Sequence, residues 1–357
     1  MGKSKREKLV NVRRLTSGMI VGRDVYSKND RLLVAEGTIL DDNIIARITF
    51  FGVLSIYVLE EDFEEDELSE DDEEGEKVFR EFHKCYETSI INVAHGFNQM
   101  IENGKDIDEE AVVDDVDAII ARTNTKYQVF DMLHYIHVFD DETYMHSVNC
   151  ALICNVFAGW LGMSETEKHK LTLCGLFHDI GKLLISKDIL KKPGKLTESE
   201  YQIIKQHPGK GYNFLKEKNM EEVVLNATLF HHERRNGSGY PMGLMESEIQ
   251  PFTAITAIAD VYDAMTSNRV YRKGLCPFKV IRIFEQEGRE EFTPDFLVPF
   301  LRNLADTYLQ HDVKLSDGRK GRILLVNEKE LSRPSVLVGN KLIDLSKQRN
   351  LDIVKVL

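Results

Sequence analysis

The stretch His178-Asp179-Ile180-Gly181-Lys182 puts an imidazole and a carboxylate on adjacent residues, with a lysine four residues after the histidine. Outward from it, the same side-chain types recur: Glu142 and His146 before, then His207, the pair His231-His232, and Asp260. Glu142 and His146 are four apart on a predicted helix, so both can face one centre. Between successive elements lie 23 to 31 residues, about one helical hairpin each. Helical bundles build metal sites in this way, from inward side chains on several helices. Histidine nitrogens mixed with carboxylate oxygens suit iron, manganese or zinc better than calcium or magnesium, and the lack of cysteine in the set disfavours structural zinc. Asp179 has two oxygens with which to bridge two cations. A lone histidine on an apolar helix is usually a packing residue; the ordered recurrence is what points to a catalytic metal site.

Further along stand Gly237-Ser238-Gly239-Tyr240-Pro241, then Ala259-Asp260-Val261-Tyr262-Asp263-Ala264-Met265-Thr266-Ser267 and Arg269-Val270-Tyr271-Arg272. With His178 to Lys182, His207-Pro208 and His231-His232-Glu233, these strings resemble the HD-GYP group of HD-domain phosphohydrolases, over roughly residues 127–310. The resemblance implies a helical domain that hydrolyses cyclic di-GMP to pGpG and/or GMP with a metal-activated hydroxide. It implies two or three divalent ions, iron or manganese, held by His146, His178, Asp179 and Asp260, with His207, His231 and His232 for a second ion and Glu142 for a third. Asp179 is the expected bridge. Lys182 matches the lysine beside the scissile phosphate, Tyr240 the tyrosine of the glycine loop, and Arg269 and Arg272 basic positions facing the ligand. Gly237 and Gly239 let the loop backbone approach the ligand, and Tyr240 can hydrogen-bond or stack on guanine. Metal ions lower the pKa of water and clamp phosphoryl oxygens, and a lysine stabilises charge gathering in the transition state. One departure is Asn236, where many members carry Asp; a turn-forming side chain is kept and a charge lost. Alternatives are another cyclic dinucleotide such as cyclic GMP-AMP, or a module that binds nucleotide without useful turnover.

Other polar residues have plainer readings. Glu233 could orient one of the paired histidines or form a surface ion pair, and Asp263 could support Lys182 or a metal-bound water, or serve the helix alone. His134, His137, His83, His95, His169 and His311 match no ligand position and are taken as packing or surface residues.

The flanks divide the 357 residues into a small mixed α/β unit (1–59), an acidic linker (60–77), a helical connector or dimerisation region (78–126), the HD-GYP-like domain (127–312) and a β appendage (313–357). The fold class is thus mainly α, an HD-type helical bundle with a small α/β domain before it and a β-rich tail. Strand-like runs stand at 19–25, 31–34 and 53–58, with Ile44, Ile45 and Ile48 at helical spacing between them. Phe79, Phe82, Tyr86, Ile90, Val93, Phe97 and Met100 form a stripe spaced by threes and fours, suited to a core or to a homodimer seam. In the tail, Asp317-Gly318 and Gly339-Asn340 mark turns between short β runs.

Composition fits these divisions. The net charge of −13 comes from one segment: residues 60–76 hold 13 acids and no base, leaving as many acids elsewhere as the 46 bases. A neutral body gives no reason to expect DNA or RNA polymer or an anionic membrane as partner. Five scattered cysteines suggest buried thiols in a reducing cytoplasm. Cys150 and Cys154, four apart, are read as core. The basic amino terminus lacks a following apolar region, and the longest apolar run, 151–163, is shorter than the ~20 residues that span a bilayer, so no membrane insertion is expected.

Overall fold

The computed structural model describes residues 7–12, 15, 17–26, 32–41, 44–45, 48, 53, 55–59, 70–123, 128–135, 142–190, 192, 194–267 and 274–357. The amino-terminal unit has strands β1 (Glu7–Asn11), β2 (Ile20–Val21), β3 (Val25–Tyr26), β4 (Leu32–Val34) and β5 (Ser55–Leu59). β5 lies between β1 and β2 in an antiparallel sheet, and β3 pairs with β4. Its apolar side chains, among them Val21, Leu40, Ile48 and Ile56, form a core separate from that of the rest of the chain. β1 has no counterpart among the strands expected from sequence: its Glu7 and Lys8 dilute the β pattern, and pairing along the whole of β5 compensates.

The body is helical: α1 (Glu70–Asn103), α2 (Glu109–Ile120), α3 (Gln128–Tyr135), α4 (Glu142–Trp160), α5 (Glu165–Phe177), α6 (Glu198–Ile204), α7 (His207–Glu217), α8 (Glu222–Phe230), α9 (Pro251–Thr266), α10 (Pro277–Ile283) and α11 (Pro294–Thr307), with short helical turns between some of them. α1 begins inside the acidic run read as a linker. Acids in the first turns of a helix are favoured by the positive end of its dipole, so the charge that argued for a linker also suits a helix start. The α1 stripe is used within the chain: Phe82, Tyr86, Ile90, Val93, Phe97 and Met100 are all buried in the main core. Each such side chain contributes ~1.5–3 kcal/mol on burial. The stripe is core, and a homodimer has to use another face.

α4 and α5 form the central hairpin. Ser164 starts α5 with a reciprocal cap, its hydroxyl accepting from the Glu167 amide while the Glu167 carboxylate accepts from the Ser164 amide. From Leu171 to Phe177 every residue of α5 is buried. Thr197 and Glu200 cap α6 in the same way. The tail forms strands β6 (Asp312–Leu315), β7 (Lys320–Leu325), β8 (Ser335–Val338), β9 (Lys341–Asp344) and β10 (Ile353–Val356), antiparallel in the order β10-β6-β7-β8-β9. Its Val313, Ile323, Val336 and Val356 join the same apolar cluster as the helices. Arg333, nearly buried, donates to the carbonyls of Leu345 and Leu351 and to Asp352, which also accepts from Arg282 of α10. The sheet is thus fastened to the helical body by core and ion pair together. No helix among the described residues is long and apolar enough to cross a membrane.

Candidate metal centre

His178 and Asp179 do not continue α5; His178 is its C-cap, and a 3-10 turn (Ile180–Leu184) follows. Lys182 therefore reaches the site through that turn, three residues after Asp179 and in contact with its Oδ2, and not along an α-helical face. The turn presses against the start of α7. A Cβ on Gly181 would lie 2.0 Å from the His207 carbonyl oxygen, so only glycine permits the approach that brings His207 to Asp179.

Three histidines are set by one device. His178 Nδ1 donates to the Gly175 carbonyl (2.8 Å), His207 Nδ1 to Ile204 (2.8 Å) and His231 Nδ1 to Thr228 (3.0 Å). Each acceptor lies three residues back at the end of a helix, where carbonyls lack helical partners. A neutral imidazole that donates from Nδ1 offers only a lone pair at Nε2. His146 stands inside α4 and is oriented differently: its Nδ1 donates to Asp263 Oδ2 (2.6 Å), and Asp263 Oδ1 accepts from Asn149 and Ser267 (both 2.8 Å). Tyr86 of α1 completes the chain by donating to Asn149 (2.5 Å).

These side chains converge in two half-sites that share Asp179. On one side, His146 Nε2 lies 3.0 Å from Asp260 Oδ1, 3.2 Å from His178 Nε2 and 3.5 Å from Asp179 Oδ2. On the other, Asp179 Oδ1 lies 3.1 Å from His207 Nε2 and 3.7 Å from His231 Nε2, which are 3.3 Å from each other. His232 Nδ1 is 3.8 Å from Asp260 Oδ2, and its ring stacks on Tyr240 (centroids 4.6 Å apart). All are buried except His232, which is partly exposed. Asp179 Oδ1 is buried and accepts no hydrogen bond. With both Nδ1 atoms turned to helix-end carbonyls, the Asp179 oxygen and the two Nε2 atoms converge on one buried point, an arrangement of acceptors that a cation would balance. Asp179, His207, His231 and His232 lie close enough to hold one ion, and so do His178, His231 and Asp260. The cluster is positioned to hold divalent metal.

The electrostatics agree with this division. Burial, helped by the neighbouring histidines, holds His231 down to about 4, so it is neutral at ordinary pH. His232 is depressed as well, by burial first and by His231 next. His146 is raised: burial opposes its charge, but the carboxylates of Asp260 and Asp263 outweigh burial. Burial favours protonated Asp179, yet Lys182 and His178 hold its carboxyl well below the ordinary range. Cys150, 3.7 Å from His146, is pushed up to about 12 by burial and sits there as a neutral thiol.

Some expected site residues fall elsewhere. The side chain of Glu142, at the first residue of α4, and all of Arg269, Arg272 and His137, lie outside the described residues, as does the side chain of His134. Asp263 orients His146. Among the described residues Glu233 meets neither a histidine nor a basic side chain; it accepts the amides of Met242, Gly243 and Leu244. Asn236 Oδ1 accepts the Ser238 amide and hydroxyl, so the turn is made without a charge. Gly237 has a φ of +73°, and a Cβ on Gly239 would lie 2.4 Å from Glu233 Cα, so both glycines serve the loop itself. Tyr240 has His232 against its ring and Lys205 Nζ 4.5 Å from the ring centroid, a position sequence gave no reason to assign to Lys205. The other histidines read as bystanders take no part: His83 lies near Glu87, His169 near Glu110, and His311 donates to Leu309.

Comparison with known proteins agrees with this geometry. The model of the HD domain matches residues 110–295, more than half of the chain. A cyclic di-GMP phosphodiesterase of Pseudomonas aeruginosa is 34% identical over 66% of this chain and 57% of its own length. A 3'3'-cGAMP-specific phosphodiesterase of Vibrio cholerae is 41% identical over 41% of this chain and 34% of its own. The chain thus spans little more than half the length of the first of these curated relatives, and less of the second. The solved structure of an HDG"Y"P protein from Bdellovibrio bacteriovorus shares the fold over 83% of this chain and 98% of its own, with a TM-score of 0.50 at 16% identity. With its histidine–aspartate cluster and the HD match across the helical body, the chain belongs to the HD domain family, and it carries the Gly239-Tyr240-Pro241 string in the loop after the paired histidines.

Proposed function

We propose that this chain is a metal-dependent phosphodiesterase that hydrolyses cyclic di-GMP to pGpG and/or GMP. The observation that carries it is the buried convergence of Asp179 Oδ1, His207 Nε2 and His231 Nε2, next to a second convergence of the same residue types around Asp179 Oδ2. His146, His178, Asp260 and Asp179 Oδ2 would hold one ion; His207, His231, His232 and Asp179 Oδ1 a second; Glu142 is suited by its place in α4 to a third. Nitrogen and carboxylate donors favour iron or manganese. Such ions lower the pKa of water and draw charge from phosphoryl oxygens.

The chain's own residues then divide the remaining work. Lys182, beside Asp179, adds positive charge where the transition state gathers negative charge. Asp263 keeps a proton on His146 Nδ1 and so leaves Nε2 for the centre. Tyr240, held in protonated form by burial, offers a hydroxyl and a ring edge to the nucleotide, and Arg269 and Arg272 are the proposed phosphate or guanine contacts. The relatives' activities support cyclic dinucleotides as the substrate class. The cGAMP-specific relative, more similar over its shorter span, favours cyclic GMP-AMP as the second substrate to try.

Anaerobic purification, metal analysis and chromatography after incubation with each dinucleotide test this, with Asp179→Ala as control. Linear product from the unmutated protein alone is the expected result and shows how far cleavage runs. Bound metal without product from either nucleotide overturns the hydrolase reading and leaves a receptor.

A further inference from the structure

Glu233 follows directly on the paired histidines and is 3% exposed. Its Oε1 accepts from the amides of Met242 (2.6 Å) and Gly243 (3.1 Å), and its Oε2 from Leu244 (2.9 Å). Hydrogen bonds from backbone amides to an ionised carboxylate are among the stronger ones available, and three on one group fix both ends of the contact. They hold the returning limb of the Gly237–Leu244 loop. The outgoing limb is pressed onto the same turn, where Gly239 packs on the backbone of Glu233 and Arg234 and the Tyr240 amide donates to the His232 carbonyl (3.3 Å). Between the two limbs, the Tyr240 ring stacks on His232 at an interplanar angle of 26°.

We propose that Glu233 is a positioning residue that acts through Tyr240: its carboxylate sets the loop so that the tyrosine is already stacked beside the metal-side histidines before a nucleotide arrives. The loop is then a fixed element beside the histidine–aspartate cluster and not a lid that closes on substrate. This rests on the histidine–aspartate cluster being the nucleotide site, but the anchoring itself does not, and the two are tested separately.

In the full chain, Glu233→Ala should speed hydrogen exchange of the Met242–Leu244 amides at least tenfold, with α7, α8 and metal content unchanged. Glu233→Gln, which keeps one acceptor oxygen, should fall between it and the unmutated protein. Unchanged exchange in Glu233→Ala, or metal lost from both variants, overturns the anchoring. With a cyclic dinucleotide that the unmutated protein cleaves, Glu233→Ala should raise KM about tenfold and change kcat less, and in a Tyr240→Leu background it should add almost nothing. Additive losses would show that Glu233 acts by a route other than Tyr240 and would overturn the proposal. If no dinucleotide is cleaved by the unmutated protein, the nucleotide reading fails while the exchange result still decides the anchoring.

Discussion

The two half-sites that meet at Asp179 are built from the same residue types and supported in opposite ways. His146 is backed by a carboxylate, and Asp263 is itself held by Asn149 and Ser267. His207 and His231 are backed only by carbonyls at helix ends. Protonated on both ring nitrogens, His146 can donate from Nδ1 to Asp263 and from Nε2 to Asp260, so the first half can balance itself without metal. In the second half Asp179 Oδ1, His207 Nε2 and His231 Nε2 converge while both Nδ1 atoms are taken up by carbonyls, so this half is the one expected to depend on a cation for its balance. Backing by carboxylate raises ligand basicity, so the first half is expected to hold a cation more tightly and the second to gain most from being filled.

The largest effect should come from the residue common to both halves. Asp179→Asn should remove metal from both and lower activity about a thousandfold or more, as for groups that act as a unit. Its amide can donate where the carboxylate could not, so the metal-free variant should be at least as stable as the metal-free unmutated protein in urea. A variant that keeps one ion at full occupancy would break the view that Asp179 joins the halves.

Acid should separate the halves by sign. His231 titrates near 4 in the fold against about 6.5 unfolded, so its contribution is full above pH 6.5 and drains as pH falls toward 4, by up to about 3 kcal/mol. His146 is raised, so its contribution is full below pH 6.5 and is lost as pH rises through its folded value. Urea unfolding of metal-free protein at pH 7.5 and 4.5 should show less acid loss in His231→Gln and more in His146→Gln. Parallel behaviour in the two variants would erase the contrast.

Asp263→Asn removes the carboxylate that backs His146 and should weaken metal binding about 10–100-fold in the first half while leaving the second half unchanged. Competition with a chelator, followed metal by metal, measures it, and equal weakening in both halves would refute the division. Smallest is Asn149→Ala, which leaves Asp263 in place with one donor fewer and should cost about 1 kcal/mol in thermal unfolding. A loss as large as that of Asp263→Asn would mean that Asn149 sets the first half.

The members of the histidine–aspartate cluster were legible because they recur at the spacing of one helical hairpin. The β tail was legible because alternation and turn residues mark strands locally, with Gly318 and Gly339 at positive φ where the turns were expected. Asp263, Asn149 and Glu233 were not, because a side chain's partner depends on which way its helix faces. Asp263 lies 117 residues from the histidine it orients, and Glu233 lies nine to eleven residues from the amides it holds. The acidic run misled for another reason: charge density argues for solvation, but the register in which a helix starts is settled by what its later residues pack against, here the stripe from Phe82 to Met100.

Sequence by itself determined the helical class, the ligand residue types and their order, and the turn chemistry of loop and tail, since all of these are local in the chain. Tertiary structure alone decided that Asp179 stands between two half-sites, that one half is backed by carboxylate and the other by carbonyls, and that the Gly-Tyr-Pro loop is anchored through Glu233. Those facts depend on distances between atoms far apart in sequence, and only the packing of α4, α5, α7, α8 and α9 against one another fixes them.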